Sequence, residues 1–354
     1  MTNMLNFKLI NLKKDNSINI ETINYDLNKI PSNYVVIKTK FSSIGQFDTA
    51  VFLNYLNASK IKNKDITSFG FEGVGEIYKV SLDLEEYSNI KGKKVAFICN
   101  IEDELQIKAF SEYSIVPFKN VVFIDDIVNY KNYNYDEREF TYLFENYFTA
   151  KGIFEDIIFP NNYKSLIIDF GSCSLGNIIL NFCIKYNIKV ILIASHQNCF
   201  NKTTFLNNNI NNILDSSNPE FTKNLKTVIK DNNPELYLTC QGGNIPSRIL
   251  DNMPDKAKMC CLNKNNKEDM HGFSTHPFIF QQKEIFGYCF FNYFKKVINN
   301  NLLNKIAKEI ANDNIYATEI SSNLNNSYNL FNFYSAMENY IKGNLNEKIV
   351  LNIN

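Results

Sequence analysis

The segment from Ser165 to Ser195 constrains the fold of this chain more than any other. An apolar run, Leu166 to Ile168, leads into a turn of small residues, a segment with helical period follows, and a second apolar run ends at Ala194. The order strand, turn, helix, strand is that of a dinucleotide-binding βαβ unit. We therefore predict that this part of the chain contributes to a parallel sheet with a nucleotide-binding edge.

The turn of this unit reads Gly-x-Cys-x-x-Gly. Gly171 and Gly176 occupy the outer positions of the pattern Gly-x-Gly-x-x-Gly, which permit a tight turn and close packing of the helix on the strand. Cys173 replaces the middle glycine, so a bound phosphate should lie slightly farther out, or be held through Ser172 or Ser174. The following helix offers unpaired amides and the positive end of its dipole. A buried helix that needs small residues to pack on a sheet gives the same pattern, and the turn alone leaves both interpretations open.

Length and composition indicate an ordinary globular protein. The 354 residues suggest two domains of about 100–200 residues each. Lys+Arg and Asp+Glu balance at 37 each, which argues against a nucleic-acid partner. The 8 cysteines form no Cys-x-x-Cys motif, the first ten residues do not resemble a signal peptide, and no apolar run approaches membrane-spanning length. We expect a cytoplasmic protein with reduced cysteines and no membrane segment.

The pattern of hydrophobic residues changes along the chain. Residues 1–120 carry short β-branched or aromatic runs typical of strands, at 34–41, 75–80, 94–99 and 113–117. Strands and helices then alternate from residue 165 onward, which predicts a doubly wound parallel sheet. The predicted strands lie at 166–170, 190–194, 212–214, 236–240 and 259–262, and the predicted helices at 136–158, 175–186, 199–208, 219–230 and 244–252.

The last part of the chain is too short to fold alone. It contains a predicted helix near 299–312, another near 330–342 and a closing strand at 348–352. We predict that it returns to complete the first domain, so that residues 1–130 and 300–354 form one domain and residues 131–299 form the other.

Seven segments, in the correct order, resemble motifs of the medium-chain dehydrogenases/reductases, and specifically of their zinc-independent quinone reductase and enoyl-thioester reductase branch. The seven segments are SSIGQFD at 42–48, GFEGVGE at 70–76, AFSEYSIVP at 109–117, NYFTA at 146–150, TCQGG at 239–243, FQQKEIFG at 280–287 and YIKGNLNEKIVL at 340–351. The resemblance covers nearly the whole chain. It implies an α/β protein with a β-rich GroES-like catalytic domain and a Rossmann nucleotide-binding domain.

The resemblance also argues against a metal. Zinc-dependent members use Cys or His ligands in the first domain. This chain has Gly45 where a Cys is expected and Phe71 where a His is expected, Cys99 stands alone, and all three histidines lie in the second half. Without a Lewis acid to polarise an alcohol oxygen, alcohol oxidation is disfavoured. Reduction of a C=C or C=O bond conjugated to an electron-withdrawing group is favoured instead.

The end of the second predicted strand of the nucleotide domain bears on the choice of cofactor. An Asp or Glu there would bind the ribose 2′-hydroxyl of NAD. The chain has Ser195 and His196 instead, followed by Lys202, and these side chains could hold a 2′-phosphate. An ordinary exposed helix lysine is the alternative for Lys202. We expect NADPH as the cofactor.

The resemblance implies further site residues. The expected cofactor contacts are Thr149 near the nicotinamide, Gly171, Ser172, Cys173, Ser174, Leu175 and Gly176 in the turn, Cys240 and Leu262 after two strands, and Lys348 near the C-terminus. Glu72 is expected to fix the turn and orient the backbone.

For catalysis, enoyl-thioester reductases place a Tyr about eight residues after the aspartate that matches Asp48. That position holds Leu56, with Tyr55 adjacent. A one-residue shift of the loop would make Tyr55 the proton donor or substrate positioner; otherwise water or another group serves, and Tyr55 is a surface or core aromatic.

These patterns lead to one main hypothesis and one alternative. The main hypothesis is a zinc-independent NADPH-dependent oxidoreductase that reduces an enoyl thioester, an enone or a quinone, with a small-molecule or carrier-bound substrate and a homodimeric assembly. The alternative is a non-catalytic relative that serves as a binding or regulatory protein, because Gly45, Leu56 and Cys173 all replace expected residues.

Overall fold

The computed structural model describes residues 3–12, 17–52, 68–100, 103, 105–128, 136–171, 173–194, 212–262, 268–312, 326–342 and 349–353. Within them, no helix is long and apolar enough to cross a membrane.

The strands β1 to β15 are, in order, Met4–Leu12, Ile18–Asp26, Tyr34–Ile44, Glu72–Val80, Lys94–Ile98, Tyr113–Pro117, Val121–Phe123, Ser165–Ile168, Lys189–Ala194, Asn212–Asp215, Leu236–Thr239, Lys258–Cys261, Glu284–Gly287, Asn326–Asn329 and Ile349–Asn352. The helices α1 to α10 are Gln46–Phe52, Ile124–Val128, Glu145–Ile153, Ser174–Lys185, Phe221–Asn232, Ile245–Asn252, His276–Phe280, Phe290–Asn299, Leu303–Asn312 and Phe333–Lys342.

The chain divides into two compact units. Unit 1 comprises Met1–Glu145 and Lys295–Asn354, and unit 2 comprises Asn146–Phe294. Helices α3 and α8 carry the chain across the two boundaries.

Unit 1 is built around a seven-stranded sheet and a separate two-stranded sheet of β1 and β2. The order in the larger sheet is β14-β15-β3-β4-β5-β7, with β6 also paired to β3. The pair β14–β15 is parallel and the other pairs are antiparallel. Strand β3 is the organising element, because it pairs with β15, β4 and β6, and its register with β4 shifts twice.

One glycine shows how tightly β3 and β4 approach each other. A Cβ on Gly75 would lie 2.2 Å from the carbonyl oxygen of Lys38. Only a residue without a side chain fits between the two backbones at this register shift.

Unit 2 is a six-stranded parallel sheet with helices between the strands. Its order is β10-β9-β8-β11-β12-β13, and every pairing is parallel. Numbered from β8, this order is 3-2-1-4-5-6, the order of the Rossmann fold. The direction in which successive strands are added reverses between β8 and β11, and ligands of open α/β sheets bind outside the carboxyl ends of the strands at such a point.

The helices of unit 2 follow from the apolar pattern. Buried side chains of α5 and α6, such as Leu225 and Ile249, share a core cluster with Ile167 of β8 and Tyr237 of β11. Helix α4 packs through Phe182, whose ring lies 5.6 Å from that of Tyr147 on α3. The strands carry apolar residues on both faces because both faces are covered.

Three predicted helices differ from those in the structure. Residues 136–158 form not one helix but a 3₁₀ segment, Glu137–Tyr142, then α3, then a π-helical segment, Phe154–Ile158. The helix predicted near 299–312 begins only at Leu303, as α9, and it follows a separate helix, α8, that was not predicted. Asn301 adopts a left-handed φ of 53°, which breaks the helical path. Before α10, residues 330–332 form a 3₁₀ turn, capped by the Asn329 side chain. The helix predicted at 199–208 lies outside the described residues.

A buried lysine closes helix α6. Lys283 is 3% exposed, and its Nζ donates to the carbonyl oxygens of Leu250 at 2.8 Å and Asp251 at 3.0 Å. These carbonyls belong to the last turn of α6, and Leu250 O also accepts from the backbone N–H of Met253 at 3.1 Å. Burial lowers the pKa of Lys283. The lysine in the segment at 280–287 therefore holds unit 2 together.

We expect Lys283→Met to lower the free energy of unfolding by about 2 kcal/mol, because the two buried carbonyls lose their charged donor. Lys226→Met, at an exposed position on α5, should change stability by less than about 0.5 kcal/mol. Denaturant titration followed by circular dichroism measures both. Equal, small losses in the two variants would contradict the structural role of Lys283.

Candidate functional site

The carboxyl ends of β8 and β11 lie side by side at the point where the strand order of unit 2 reverses. The turn that begins with Asp169 follows β8 and leads into α4, and the segment Gln241 to Asn244 follows β11. This edge is the place in unit 2 where the fold favours a ligand.

Asp169 joins the two strand ends. Its Oδ2 accepts hydrogen bonds from the Tyr237 hydroxyl and from Thr239 Oγ1, each at 2.5 Å, and its Oδ1 accepts one from the backbone N–H of Cys240 at 3.0 Å. The side chain is 7% exposed. Burial raises the pKa of Asp169 to about 6, against the lowering effect of these hydrogen bonds. The carboxyl thus links β8 to β11 and changes its charge near neutral pH.

The turn after β8 is closed by Cys173. Its Sγ accepts a hydrogen bond from Gly176 N at 3.4 Å and donates one to Phe170 O at 3.1 Å, so the thiol is the N-cap of α4. Burial raises the pKa of Cys173 to about 11, which keeps the thiol neutral. The side chain that replaces the middle glycine therefore engages one of the helix N-terminal amides.

Gly176 has the packing role that the sequence predicts for the last glycine. A Cβ on this residue would lie 2.1 Å from the carbonyl oxygen of Phe170. Only glycine lets the start of α4 come this close to the turn. The other predicted turn residues, Ser174 and Leu175, are half-buried in the first turn of α4.

A cavity of about 200 Å³ adjoins this edge of the sheet. Its walls come from residues that follow or end β8, β9, β10 and β11, and from a loop after β12. They are Asp169, Ile193, Ala194, Ser216, Gln241, Gly242, Gly243, Asn244, Ile245 and Glu268. The cavity combines apolar side chains, backbone groups and two carboxyls.

The remaining predicted cofactor residues of unit 2 are placed as follows. Thr149 is half-buried on α3. Cys240 is 2% exposed, so its thiol cannot face a ligand, and its backbone N–H binds Asp169. Leu262 donates its backbone N–H to Thr239 O at 2.9 Å. Ser172, Ser195, Lys202, Lys348 and the predicted catalytic Tyr55 lie outside the described residues.

Unit 1 contains a second unusual group, three carboxyls that hold the backbone of three segments. Asp48 accepts from Gly45 N at 3.0 Å, Glu72 accepts from Phe144 N at 2.9 Å, and Glu145 accepts from Phe47 N at 3.4 Å. Glu72, at the start of β4, thus holds the entry to α3, as the sequence predicts. Glu145, the first residue of α3, in turn holds the start of α1.

The glycine at position 45 makes room for one of these carboxyls. A Cβ on Gly45 would lie 2.0 Å from Oε2 of Glu145. The side chain of Glu145 thus fills the space that a larger residue at position 45 would need. The glycine at position 45, which differs from the residue expected there, is therefore explained by its packing against Glu145, about 100 residues away in sequence.

Burial raises the pKa of all three carboxyls. Burial is the largest cause for each, and the charge of Glu145 adds to it for both Asp48 and Glu72. The pKa of Glu145 rises to about 7, while those of Asp48 and Glu72 lie well above the ordinary range. Burial of these side chains therefore favours their protonated forms. Across the described part of the chain, no group of His, Cys, Asp and Glu side chains is arranged to hold a metal ion.

Two residues of these sites were not predicted from the sequence. Asp169 directly follows the apolar strand β8, and a charge at the end of a buried strand is a usable signal. Glu145 directly precedes the segment at 146–150, but nothing local in the sequence pairs it with Gly45.

No protein-family model matches this sequence, and no curated protein does. Solved structures, by contrast, match it along nearly its whole length. A proposed NADPH:quinone reductase from Mesorhizobium loti is 17% identical, with a TM-score of 0.72, and the match covers 100% of this chain and 99% of that one.

Two enoyl reductase structures match this chain with similar TM-scores and coverage. A mutant form of enoyl thioester reductase from Candida tropicalis is 13% identical with a TM-score of 0.74, covering 99% of this chain and 100% of that chain. The complex of Etr1p with NADP and crotonyl-CoA gives the same values. These likenesses confirm the predicted fold class, a β-rich GroES-like domain with a Rossmann doubly wound parallel sheet.

The carboxyl group of unit 1 predicts how stability depends on pH. A carboxyl whose pKa is raised by folding contributes stability at low pH and loses it as the pH rises through its folded value. For Glu145 that loss falls between about pH 4.5 and 7. We expect Glu145→Gln, which keeps an acceptor for Phe47 N, to be more stable than the wild type at pH 8, by on the order of 2 kcal/mol.

The measurement is the free energy of unfolding of the wild type and the variant at several pH values from 5 to 8. Glu76→Gln, at an exposed position on β4, is the matched control and should follow the wild type. A Glu145→Gln curve parallel to that of the wild type would show that Glu145 is already ionised at pH 5.

Proposed function

We propose that this protein is a zinc-independent, NADPH-dependent oxidoreductase of the medium-chain dehydrogenase/reductase type, which reduces an activated double bond or a quinone by hydride transfer. The observation that carries the proposal is the six-stranded parallel sheet of unit 2, with a glycine-dependent turn, a helix N-terminus and a cavity at its reversal point. That combination is typical of dinucleotide sites. The seven ordered sequence motifs support it independently.

The residues at this edge fit a dinucleotide. Gly176 lets the start of α4 approach the strand end, where backbone N–H groups and the helix dipole favour a phosphate. The cavity has apolar walls from Ile193 and Ala194 and polar groups from Ser216 and Gln241, which suits a nucleoside. When bound, NADPH would supply the hydride.

For the 2′-phosphate we propose Ser195 and Lys202, which follow the end of β9. The proposed site further includes the turn residues 171–176 and Thr149, with Lys348. Leu262, and the backbone rather than the buried thiol of Cys240, would lie on the nicotinamide side. Unit 2 would be the nucleotide-binding domain and unit 1 the catalytic domain. Two of the similar structures support the cofactor, one by its name and one by its bound NADP.

The substrate class rests on the similar structures and on the residues that replace zinc ligands. We propose an enoyl thioester, an enone or a quinone, either free or bound to a carrier. The protein's tasks are then to position the double bond, to stabilise negative charge at the carbonyl oxygen and to supply a proton. Tyr55 remains the predicted proton donor or substrate positioner.

The decisive test is a titration of the purified protein with NADPH and, separately, with NADH, followed by nicotinamide fluorescence. We expect NADPH to bind at least tenfold more tightly than NADH. Lys202→Ala should weaken NADPH binding about tenfold and leave the NADH affinity unchanged. The reason is that Lys202 would donate a charged hydrogen bond only to the 2′-phosphate, which NADH lacks. Lys226→Ala is the control.

Turnover with a quinone and with an enoyl thioester, monitored by NADPH absorbance, then separates the substrate classes. Failure to bind either nucleotide would favour a non-catalytic binding or regulatory protein. Binding without turnover of any substrate would favour a regulatory relative that retains its cofactor.

We also propose that two copies pair through the edge strand β13. Within the described residues β13 pairs with β12 alone, and the apolar side chains Ile279, Phe280 and Ile285 near it are exposed. Unpaired strand edges are sites for pairing with another chain. Continuing the sheet across a twofold axis would cover these side chains.

Light scattering should therefore give the mass of two chains. Ile285→Lys, on β13, should convert the protein to monomers at micromolar concentration. Ile184→Lys, on α4 and exposed to a similar degree, should not. A monomeric wild type would overturn this part of the proposal without bearing on the cofactor.

A further inference from the structure

A buried carboxyl lies at the edge of the sheet where the cofactor is proposed to bind. Asp169 lines the cavity at the reversal point of the sheet, and the helix α4, whose N-terminus is suited to a phosphate, begins five residues later. Dinucleotide sites usually gather positive potential there, whereas this chain places a carboxyl at the same edge.

The groups that hold Asp169 do not neutralise its charge. Within the described residues its side-chain hydrogen-bond partners, the Tyr237 and Thr239 hydroxyls and the Cys240 N–H, are uncharged. In the same part of the chain, the other titratable groups that face it are the thiols of Cys173 at the start of α4, of Cys240 after β11 and of Cys261 at the end of β12. Raised pKa values keep these thiols neutral, and Glu268 across the cavity is a second acid.

We propose that binding of a dinucleotide at this edge of the sheet is coupled to the uptake of a proton by Asp169. The proposal rests on the cofactor assignment made above and adds a property of this chain's own residue. An ionised Asp169 repels the bound phosphates, whereas a protonated one does not, and it can also donate a hydrogen bond. Cofactor affinity is therefore higher at acidic than at alkaline pH.

The hydrogen-bond network can accommodate either charge state. The hydroxyls of Tyr237 and Thr239 can rotate and accept instead of donating, so a proton on Oδ2 finds an acceptor while Oδ1 still accepts from Cys240 N. Because the pKa of Asp169 in the free protein is about 6, its side chain is mostly ionised at neutral pH and can accept a proton when the cofactor binds. By thermodynamic linkage, a lower pH, which favours the protonated form of Asp169, also raises the affinity for the anionic dinucleotide.

The test compares wild type with Asp169→Asn, in which Oδ1 can accept from Cys240 N and Nδ2 can donate to the two hydroxyls. Isothermal titration calorimetry with NADPH, in buffers of different ionisation enthalpy, measures the protons taken up on binding. At pH 7 we expect the wild type to take up about half a proton more than the variant. Subtracting the variant removes the titration of the cofactor's own 2′-phosphate.

The affinity should change in parallel. From pH 6 to pH 8 the wild type should lose about tenfold more NADPH affinity than Asp169→Asn, and the variant should bind more tightly at pH 8. Asp231→Asn, on the exposed surface of α5, is the control and should behave as the wild type. Equal proton uptake in wild type and Asp169→Asn would overturn the inference while the cofactor assignment stands.

Two further outcomes are decisive. If Asp169→Asn does not fold, as judged by thermal unfolding, the wild type is titrated with NADH, which has no 2′-phosphate. Proton uptake then supports the role of Asp169, and its absence contradicts it. If the wild type binds neither nucleotide at any pH from 6 to 8, the proposed function fails and this inference with it.

Discussion

Both units of this protein depend on buried carboxyls that bind the backbone. A buried carboxyl must be hydrogen-bonded, protonated or both, since an isolated charge in the interior is too costly. In unit 2, Asp169 meets this requirement by joining β8 to β11. In unit 1, Asp48, Glu72 and Glu145 meet it by holding three segments together through backbone N–H groups.

These carboxyls give the two units different dependences on protons. In unit 1 burial raises the pKa of all three carboxyls, and the main effect is on stability, because deprotonation places like charges together. Asp169 has a pKa nearer 6 and lies at a cavity, so its charge acts on whatever binds there. In both units burial raises the pKa of a carboxyl while hydrogen bonds lower it. In unit 1 the resulting pKa affects the stability of the fold, and in unit 2 we propose that it affects ligand binding.

The departures from the family pattern have physical explanations where the structure describes them. The side chain of Glu145 occupies the space that a side chain at position 45 would need. Cys173 replaces a glycine in the turn, and its thiol caps α4 by accepting from Gly176 N. Neither replacement disrupts the fold. The capping thiol leaves the first turn of α4 ordered, so the replaced glycine is not in itself evidence against a phosphate at this site.

The sequence by itself determined the β-rich character of the first part of the chain and the alternation of strands and helices in unit 2. Hydrophobic period distinguished the β-rich part from the alternating part, and Gly176 was recognised because close helix–strand packing has a local signature. Helix ends were less well predicted, as at Asn301, where the backbone conformation of one residue decides. Only the tertiary structure decided which side chains meet, because Glu145 with Gly45, and Asp169 with Tyr237, are separated by long stretches of chain. The pKa of a carboxyl depends on those neighbours and on burial, which no local pattern of residues encodes.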